Sequence, residues 1–332
     1  MWLWTSPDSV FNHIDFFSLS IFLRMQERDF MNMTEEAPAS NTTQLGIAQT
    51  ILTTVYSVAF TGGVTGVLAM SFFLVKMNTL SVTTTAIVNL AMVHSLLLLT
   101  VPFRLHYYIN GKWVFGLPFC KAVSATLHIH MYLTFLFYIV TLVIRWLIFF
   151  QWKDKVEFYT KLHAVGASAA VWTLVSLIVV PVFCFQYGNF GRYENTTCFN
   201  FQEELKQGNV KVLNYIMIGI VPCITCILLA LQIFIILRVV KRLSGSIWSH
   251  QEFWAHIKSL IFLTVIIICF LPYHLFRIYY IEHVNENNQL ENGNEITLSI
   301  TAISCLDLLA FVLSGSRLKQ KVIVLQNKFT CC

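Results

Sequence analysis

Long apolar runs alternate with short polar breaks along this chain, and the runs have the length of membrane-crossing helices. A hydrocarbon core about 30 Å thick takes roughly 20 apolar residues of helix to cross. Seven windows meet that length, at about 47–75, 82–108, 118–150, 162–185, 211–238, 258–281 and 296–314. The breaks between them are short, apart from the loop at 186–210. Backbone groups in lipid must be satisfied within their own segment, so each run predicts a helix, and the short linkers predict one bundle. The expected fold class is an all-α membrane protein, a seven-transmembrane helix bundle at 47–315. Residues 1–46 form an N-terminal tail. In residues 316–332, Leu318, Val322, Leu325 and Phe329 recur at helical spacing beside Arg317, Lys319, Lys321 and Lys328. That pattern predicts an amphipathic helix on the anionic inner leaflet, with membrane lipid as its partner. Cys331 and Cys332 end it as candidate lipidation sites.

Composition agrees: 56% of the 332 residues are hydrophobic, 12% are charged, and the mean hydropathy is +0.66. Water does not solvate such a surface. Charge then orients the bundle. With residues 1–46 outside, the inner side collects Lys76, Arg145, Lys153, Lys155, Lys161, Arg238, Lys241, Arg242, Lys258 and the basic tail, while Glu194, Glu203, Glu204, Glu282, Glu286, Glu291 and Glu295 lie outside. This is the positive-inside asymmetry. The glycosylation sequons at Asn32, Asn41 and Asn195 fall on the outer side as well. The expected location is the plasma membrane, multi-pass, with an extracellular N-terminus. FFSLSIFL at 16–23 is too short to span and lacks a basic flank, so no signal peptide is expected, and Met31 or Met33 is an alternative start.

Of nine cysteines, Cys223, Cys226, Cys269 and Cys305 sit within spans. Cys120 opens the third span and Cys198 lies in the long loop, both on the oxidising side, where a disulfide between them is expected. The Cys223–Cys226 spacing inside an apolar span is a weak zinc signal, and no other His/Cys run has ligand spacing. No metal, cofactor or nucleic-acid partner is expected.

Landmarks then recur span by span: NLAMVH at 89–94, TVPF at 100–103, WVFG at 113–116 before Cys120, Ile144-Arg145-Trp146, Trp172, Pro222, CFLPYH at 269–274 and DLLAF at 307–311. In this order they resemble the rhodopsin-like (class A) G-protein-coupled receptors over residues 41–332. The resemblance implies a receptor that turns binding of an extracellular ligand into activation of a heterotrimeric G protein. It also marks departures: His94 stands for the second-span acid, Ile144 and Trp146 flank Arg145, Phe270 replaces Trp, Leu308 replaces Pro, Phe311 replaces Tyr and Val67 replaces Asn. A constitutively active or ligand-independent seven-helix protein is the rival reading. A transporter would show repeated halves. An intramembrane enzyme would show HExxH, GxSxG or paired in-span carboxylates, none of which occurs. A retinal sensor needs a seventh-span lysine, which is absent.

The resemblance implies a latch in which Arg145 pairs with Glu252 at the inner end of the sixth span and holds the sixth helix inward. Toward the outside, Arg104, His128, Tyr273, His274 and Arg277 are the polar ligand-binding candidates. Leu127 stands where amine receptors carry an acid, and converging cations favour a ligand with phosphate or carboxylate groups, probed by arginine forks. Arg104, at the end of its span, is expected to reach water or that ligand. His94 lies near the bilayer midplane and needs a partner. By resemblance the neighbouring groups are Thr134 and Asp307, with Ile303 where another polar residue is common. A histidine–carboxylate set is a poor sodium cage, so His94 and Asp307 are expected to pair directly.

Overall fold

The computed structural model describes residues 41–76, 82–149, 161–179, 196–242, 259–283, 289–310 and 312. Among the described residues every regular element is helical. Helix α1 spans Asn41–Lys76, α2 Val82–Asn110, α3 Leu117–Phe149, α4 Lys161–Leu174 and α5 Gly208–Arg242. Helix α6 spans Ser259–Glu282. Helix α7 spans Gln289–Ile300 and tightens into a 3-10 turn at Thr301–Leu306. Helices α1, α2, α3, α5 and α6 are each long and apolar enough to cross a membrane.

Two helices begin ahead of their apolar windows. The first begins at Asn41 and the seventh at Gln289, both ahead of the windows at 47 and 296. The first turns of α7, QLENGNE, are polar, so hydropathy does not register them as helix. They are helical because Asn294 and Glu295 bond to arginines inside the bundle.

Local chemistry explains the bends. Pro102 sits inside α2 and Pro222 inside α5, where each removes a backbone donor and its ring crowds the carbonyl four residues back. In α6 the chain widens into a π-helical turn at Ile266–Phe270 immediately before Leu271 and Pro272. The wider turn accommodates the proline ring and turns Phe270 fully into the core.

Helices α2 and α3 are central, with 56% of their apolar windows buried, against 22% for α1 and 28% for α5. The exposed residues of the outer two, such as Leu68, Phe72, Val75, Leu213, Phe234 and Leu237, are apolar, as a lipid-facing surface requires. At Gly66 the backbone of α1 approaches the end of the seventh helical segment so closely that an added Cβ would lie 3.0 Å from the Leu309 nitrogen. Small residues permit such contact where hydrophobic expulsion cannot drive association. Polar ties complete the packing. Trp172 on α4 donates to Asn89 Oδ1 on α2 at 2.9 Å, Asn89 donates to Ser168 Oγ at 2.7 Å, and Trp146 on α3 donates to Gln232 on α5 at 3.1 Å. Trp172 thus ties the fourth helix to the second.

Glu252, Asn32, Asn195, Cys331, Cys332 and the expected amphipathic helix lie outside the described residues. Arg145 belongs to α3 and Asn41 opens α1, but their side chains also lie outside the described set.

Candidate functional site

A disulfide ties the chain ahead of α5 to the start of α3. Cys120 at the start of α3 is disulfide-bonded to Cys198, with a Cα–Cα distance of 5.7 Å. The Trp113 N–H donates to Thr196 O at 2.8 Å, and its indole donates to Gly116 O at 2.7 Å. Rings of Tyr107, Trp113, Phe115, Phe119 and Phe103 pack around the bridge. Phe199, next after the bridge, has φ 72, a left-handed conformation that a bulky residue adopts only when its surroundings impose it. Its ring lies 4.2 Å from the Arg104 guanidinium carbon.

Arg104 departs from expectation. Its side chain is fully buried, directed into the bundle and away from solvent. Nη1 donates to Glu295 Oε1 on α7 at 2.8 Å and to the Tyr56 hydroxyl on α1 at 2.9 Å, and Nη2 donates to Val123 O on α3 at 3.2 Å. Tyr108 donates to the same Glu295 oxygen at 2.7 Å. A guanidinium on the second helix therefore ties four helices together. Glu295, Tyr56 and Tyr108 were not expected, because a helix-end arginine ordinarily snorkels and its acid lies almost two hundred positions away in sequence.

The remaining ligand candidates do converge. Arg277 on α6 donates from Nε to Asn214 Oδ1 on α5 at 3.1 Å and from Nη1 to Asn294 Oδ1 on α7 at 2.7 Å. Among the described residues no carboxylate lies within ion-pair distance of it. Its cation sits 5.8 Å from the Tyr273 ring and 5.3 Å from the Tyr280 ring. The Tyr273 hydroxyl is 3.5 Å from His128 Nε2, so α3 joins the group. Both His128 and His274 donate Nδ1–H to the carbonyl four residues back, Ser124 O at 3.2 Å and Phe270 O at 2.8 Å. This assigns the proton, since a carbonyl only accepts. His274 Nε2 is buried without a hydrogen-bond partner, beside Tyr132. The amides of Asn214 and Asn294 were also missed: single amides near span ends carry no periodic signal.

Deeper in the bundle, His94 Nε2 lies 3.0 Å from Asp307 Oδ1, both side chains fully buried. Tyr138 on α3 donates to Asp307 Oδ2 at 2.6 Å. The other nitrogen of His94, Nδ1, lies 2.9 Å from His130 Nε2, which is itself 3.6 Å from Cys305 Sγ. Thr134, expected beside His94, is buried with no hydrogen bond, and His130 and Tyr138 on either side of it make the contacts. Positions 130, 134 and 138 share one stripe of α3 at four-residue spacing, a signal present in LHIHMYLTFLFYIV. Tyr138 also stacks on Phe270 of α6, with ring centroids 6.2 Å apart.

Helices long and apolar enough to cross a membrane, tied by a disulfide at one end and by buried polar contacts within, define a helical membrane protein. Residues 65–307 match the 7 transmembrane receptor (rhodopsin family), and the chain belongs to that family. It is 54% identical over 303 residues to the human protein named probable G-protein coupled receptor 141, covering 89% of this chain and 99% of that one. It is 25% identical over 260 residues to the mouse 2-oxoglutarate receptor 1, covering 77% and 76% of the two chains. It is 26% identical over 283 residues to the human cysteinyl leukotriene receptor 2, covering 81% and 79%. The chain is thus a multi-pass plasma-membrane receptor that signals through G proteins, and its family is not one of enzymes.

Proposed function

We propose that the receptor is activated by an extracellular anionic small molecule or lipid, held between α3, α5, α6 and α7. The observation that carries this reading is Arg277. Its guanidinium is held in place by two neutral amides and lies among Tyr273, His128 and Tyr280. A fixed fork of N–H donors without a neutralising carboxylate suits a carboxylate or phosphate, and aromatic walls suit an apolar body beside it. His274 Nε2, an acceptor in this tautomer, suits an O–H or N–H on the body of the ligand and not its anionic group. The names of two relatives support the charge class: 2-oxoglutarate is a dicarboxylate, and a cysteinyl leukotriene is a carboxylate-bearing lipid. In this reading Arg104, paired with Glu295, holds the bundle together, and Arg277 is the cation for the ligand.

Binding must favour one state of the bundle over another to transmit anything. A ligand that draws Arg277 and Tyr273 toward α3 rotates α6, and Phe270 then slides on Tyr138, which holds Asp307. The N-terminal tail 1–46 lies outside, with Asn32, Asn41 and Asn195 glycosylated, and the basic 316–332 segment anchors to the inner leaflet through Cys331 and Cys332. The test is a screen of anionic metabolites and lipids against the receptor coupled to several chimeric G proteins. An agonist whose potency falls at least tenfold in Arg277→Ala, at equal surface level, supports the reading. A cationic agonist, or one indifferent to Arg277→Ala, overturns it.

A further inference from the structure

We propose that His94, His130 and Cys305 form a buried site for a borderline-soft transition-metal ion, zinc being the fitting divalent case. The three residues come from α2, α3 and the 3-10 turn after α7, and all three are buried. Their ligand atoms, His94 Nδ1, His130 Nε2 and Cys305 Sγ, lie within 4.8 Å of one another. Zinc bonds imidazole nitrogen at about 2.0–2.1 Å and thiolate sulfur at about 2.3 Å, so a tetrahedral site sets N···N near roughly 3.3 Å and N···S near roughly 3.6 Å. The two separations here are 2.9 Å and 3.6 Å. The third pair, His94 Nδ1 and Cys305 Sγ, lies within 4.8 Å, so loading widens the His94–His130 contact and draws the sulfur and both imidazoles around the ion.

The surroundings also suit a metal. Asp307 Oδ1 lies 3.0 Å from His94 Nε2, so the carboxylate can accept that ring N–H and leave Nδ1, which faces His130, to an ion. A metal-bound histidine ordinarily donates its other N–H to a carboxylate in this way. Tyr138 fixes the second oxygen of that carboxylate. The single Nε2 of His130 faces both His94 Nδ1 at 2.9 Å and Cys305 Sγ at 3.6 Å, so one proton there serves only one of them at a time. An ion takes all three lone pairs at once. On loading, the Cys305 thiol releases its proton to water as the metal–sulfur bond forms, while both imidazoles bind neutral. The dication then balances one thiolate and the Asp307 carboxylate, so the site is neutral, as the bilayer midplane requires. The fourth position falls to water. Soft sulfur and imidazole donors disfavour sodium, magnesium and calcium and select zinc or copper(I).

The experiment uses the full-length receptor in lipid nanodiscs, titrated with Co2+ as the spectroscopic stand-in for Zn2+. The expected result is a thiolate-to-cobalt charge-transfer band that saturates at one ion per chain and is displaced by Zn2+. Cys305→Ser and His130→Gln each abolish it. Asp307→Asn weakens the affinity by about 10- to 100-fold, the usual effect of losing such a hydrogen-bonded carboxylate. The double variant Cys223→Ser, Cys226→Ser keeps the band, since those exposed thiols belong to α5. Absence of a band, its survival in Cys305→Ser, or its loss in the Cys223/Cys226 variant overturns the proposal. Should the Cys305 and His130 variants fail to fold, X-ray absorption of the zinc-loaded unmutated protein decides: one sulfur with two imidazoles supports the site, and two sulfurs or none overturns it.

Discussion

Arg104 and Glu295, on the second and seventh helices, meet at 2.8 Å in the interior, the arginine with no exposed surface. A buried pair of this kind adds little net stability compared with an apolar replacement, but removing one partner strands the other charge at about 3–5 kcal/mol. Glu295→Ala should therefore lower surface expression and Tm strongly, Glu295→Gln less so because it keeps an acceptor for the guanidinium and Tyr108. Arg104→Ala should act likewise on stability and leave the potency of an agonist on the surviving surface population unchanged. A selective loss of potency in Arg104→Ala at normal surface level would return the arginine to the ligand pocket. Thermal unfolding of purified variants and flow cytometry are the measurements.

The disulfide gives a second expectation. Cys120→Ser or Cys198→Ser releases the strand that holds Phe199 in its left-handed conformation over Arg104. Loss of a native disulfide typically costs about 2–5 kcal/mol. Both variants should fall to a small fraction of normal surface level, and Phe199→Ala should reproduce part of that loss by removing the stacked ring. Normal surface level in either cysteine variant would refute a structural bridge.

Much of this was legible in the sequence, and the limits are physical. Lipid demands long apolar helices, so the spans appear as windows. Where a helix leaves the apolar layer its extent is set by partners, and the polar turns of α7 escape hydropathy for that reason. Arg277 and His274, one turn apart on one helix, could be assigned to a common face from spacing alone. Arg104 could not be assigned, because whether a helix-end arginine points to water or inward depends on an acid supplied by another helix. The same holds for His130, whose partners His94 and Cys305 come from elsewhere in the chain.

Acid titration supplies a third test. Burial, and secondarily the charge of Glu295, push the Glu291 carboxyl from its ordinary 4.5 up to about 7. The folded protein then binds this proton more tightly than the unfolded chain. Between these two values the native state holds more protons, so stability falls as pH rises through the window. Tm should decline from pH 5 to pH 7.5, and Glu291→Gln, which cannot ionise, should flatten that decline. An unaltered pH profile in Glu291→Gln would refute the assignment.

For the Arg145–Glu252 latch that the family resemblance implies, Glu252→Ala should raise basal G-protein signalling, and Arg145→Ala should abolish activation. Basal activity unchanged in Glu252→Ala at equal surface level would leave Arg145 as a simple interfacial cation. The measurement is agonist-free G-protein activation normalised to receptor number.

The last expectation concerns His94 and Asp307. Each is buried beyond the reach of bulk water, and each makes its closest polar contact with the other, apart from Tyr138 on the acid and His130 on the ring. In the low-dielectric interior, removing either leaves its partner's polar atoms short of a bond, whereas removing both leaves less unsatisfied. A double-mutant cycle with His94→Ala and Asp307→Asn should therefore be strongly non-additive in Tm, with a coupling of about 0.5–3 kcal/mol as for residues in direct contact. The imidazole also occupies the space beside the Asp307 carboxylate, so added sodium should leave agonist affinity unchanged, while Asp307→Asn should shift basal signalling through Tyr138 and its stacked partner Phe270. Additive single effects would show two independent groups, and sodium-dependent agonist binding in the unmutated receptor would show that the pair leaves room for the ion after all.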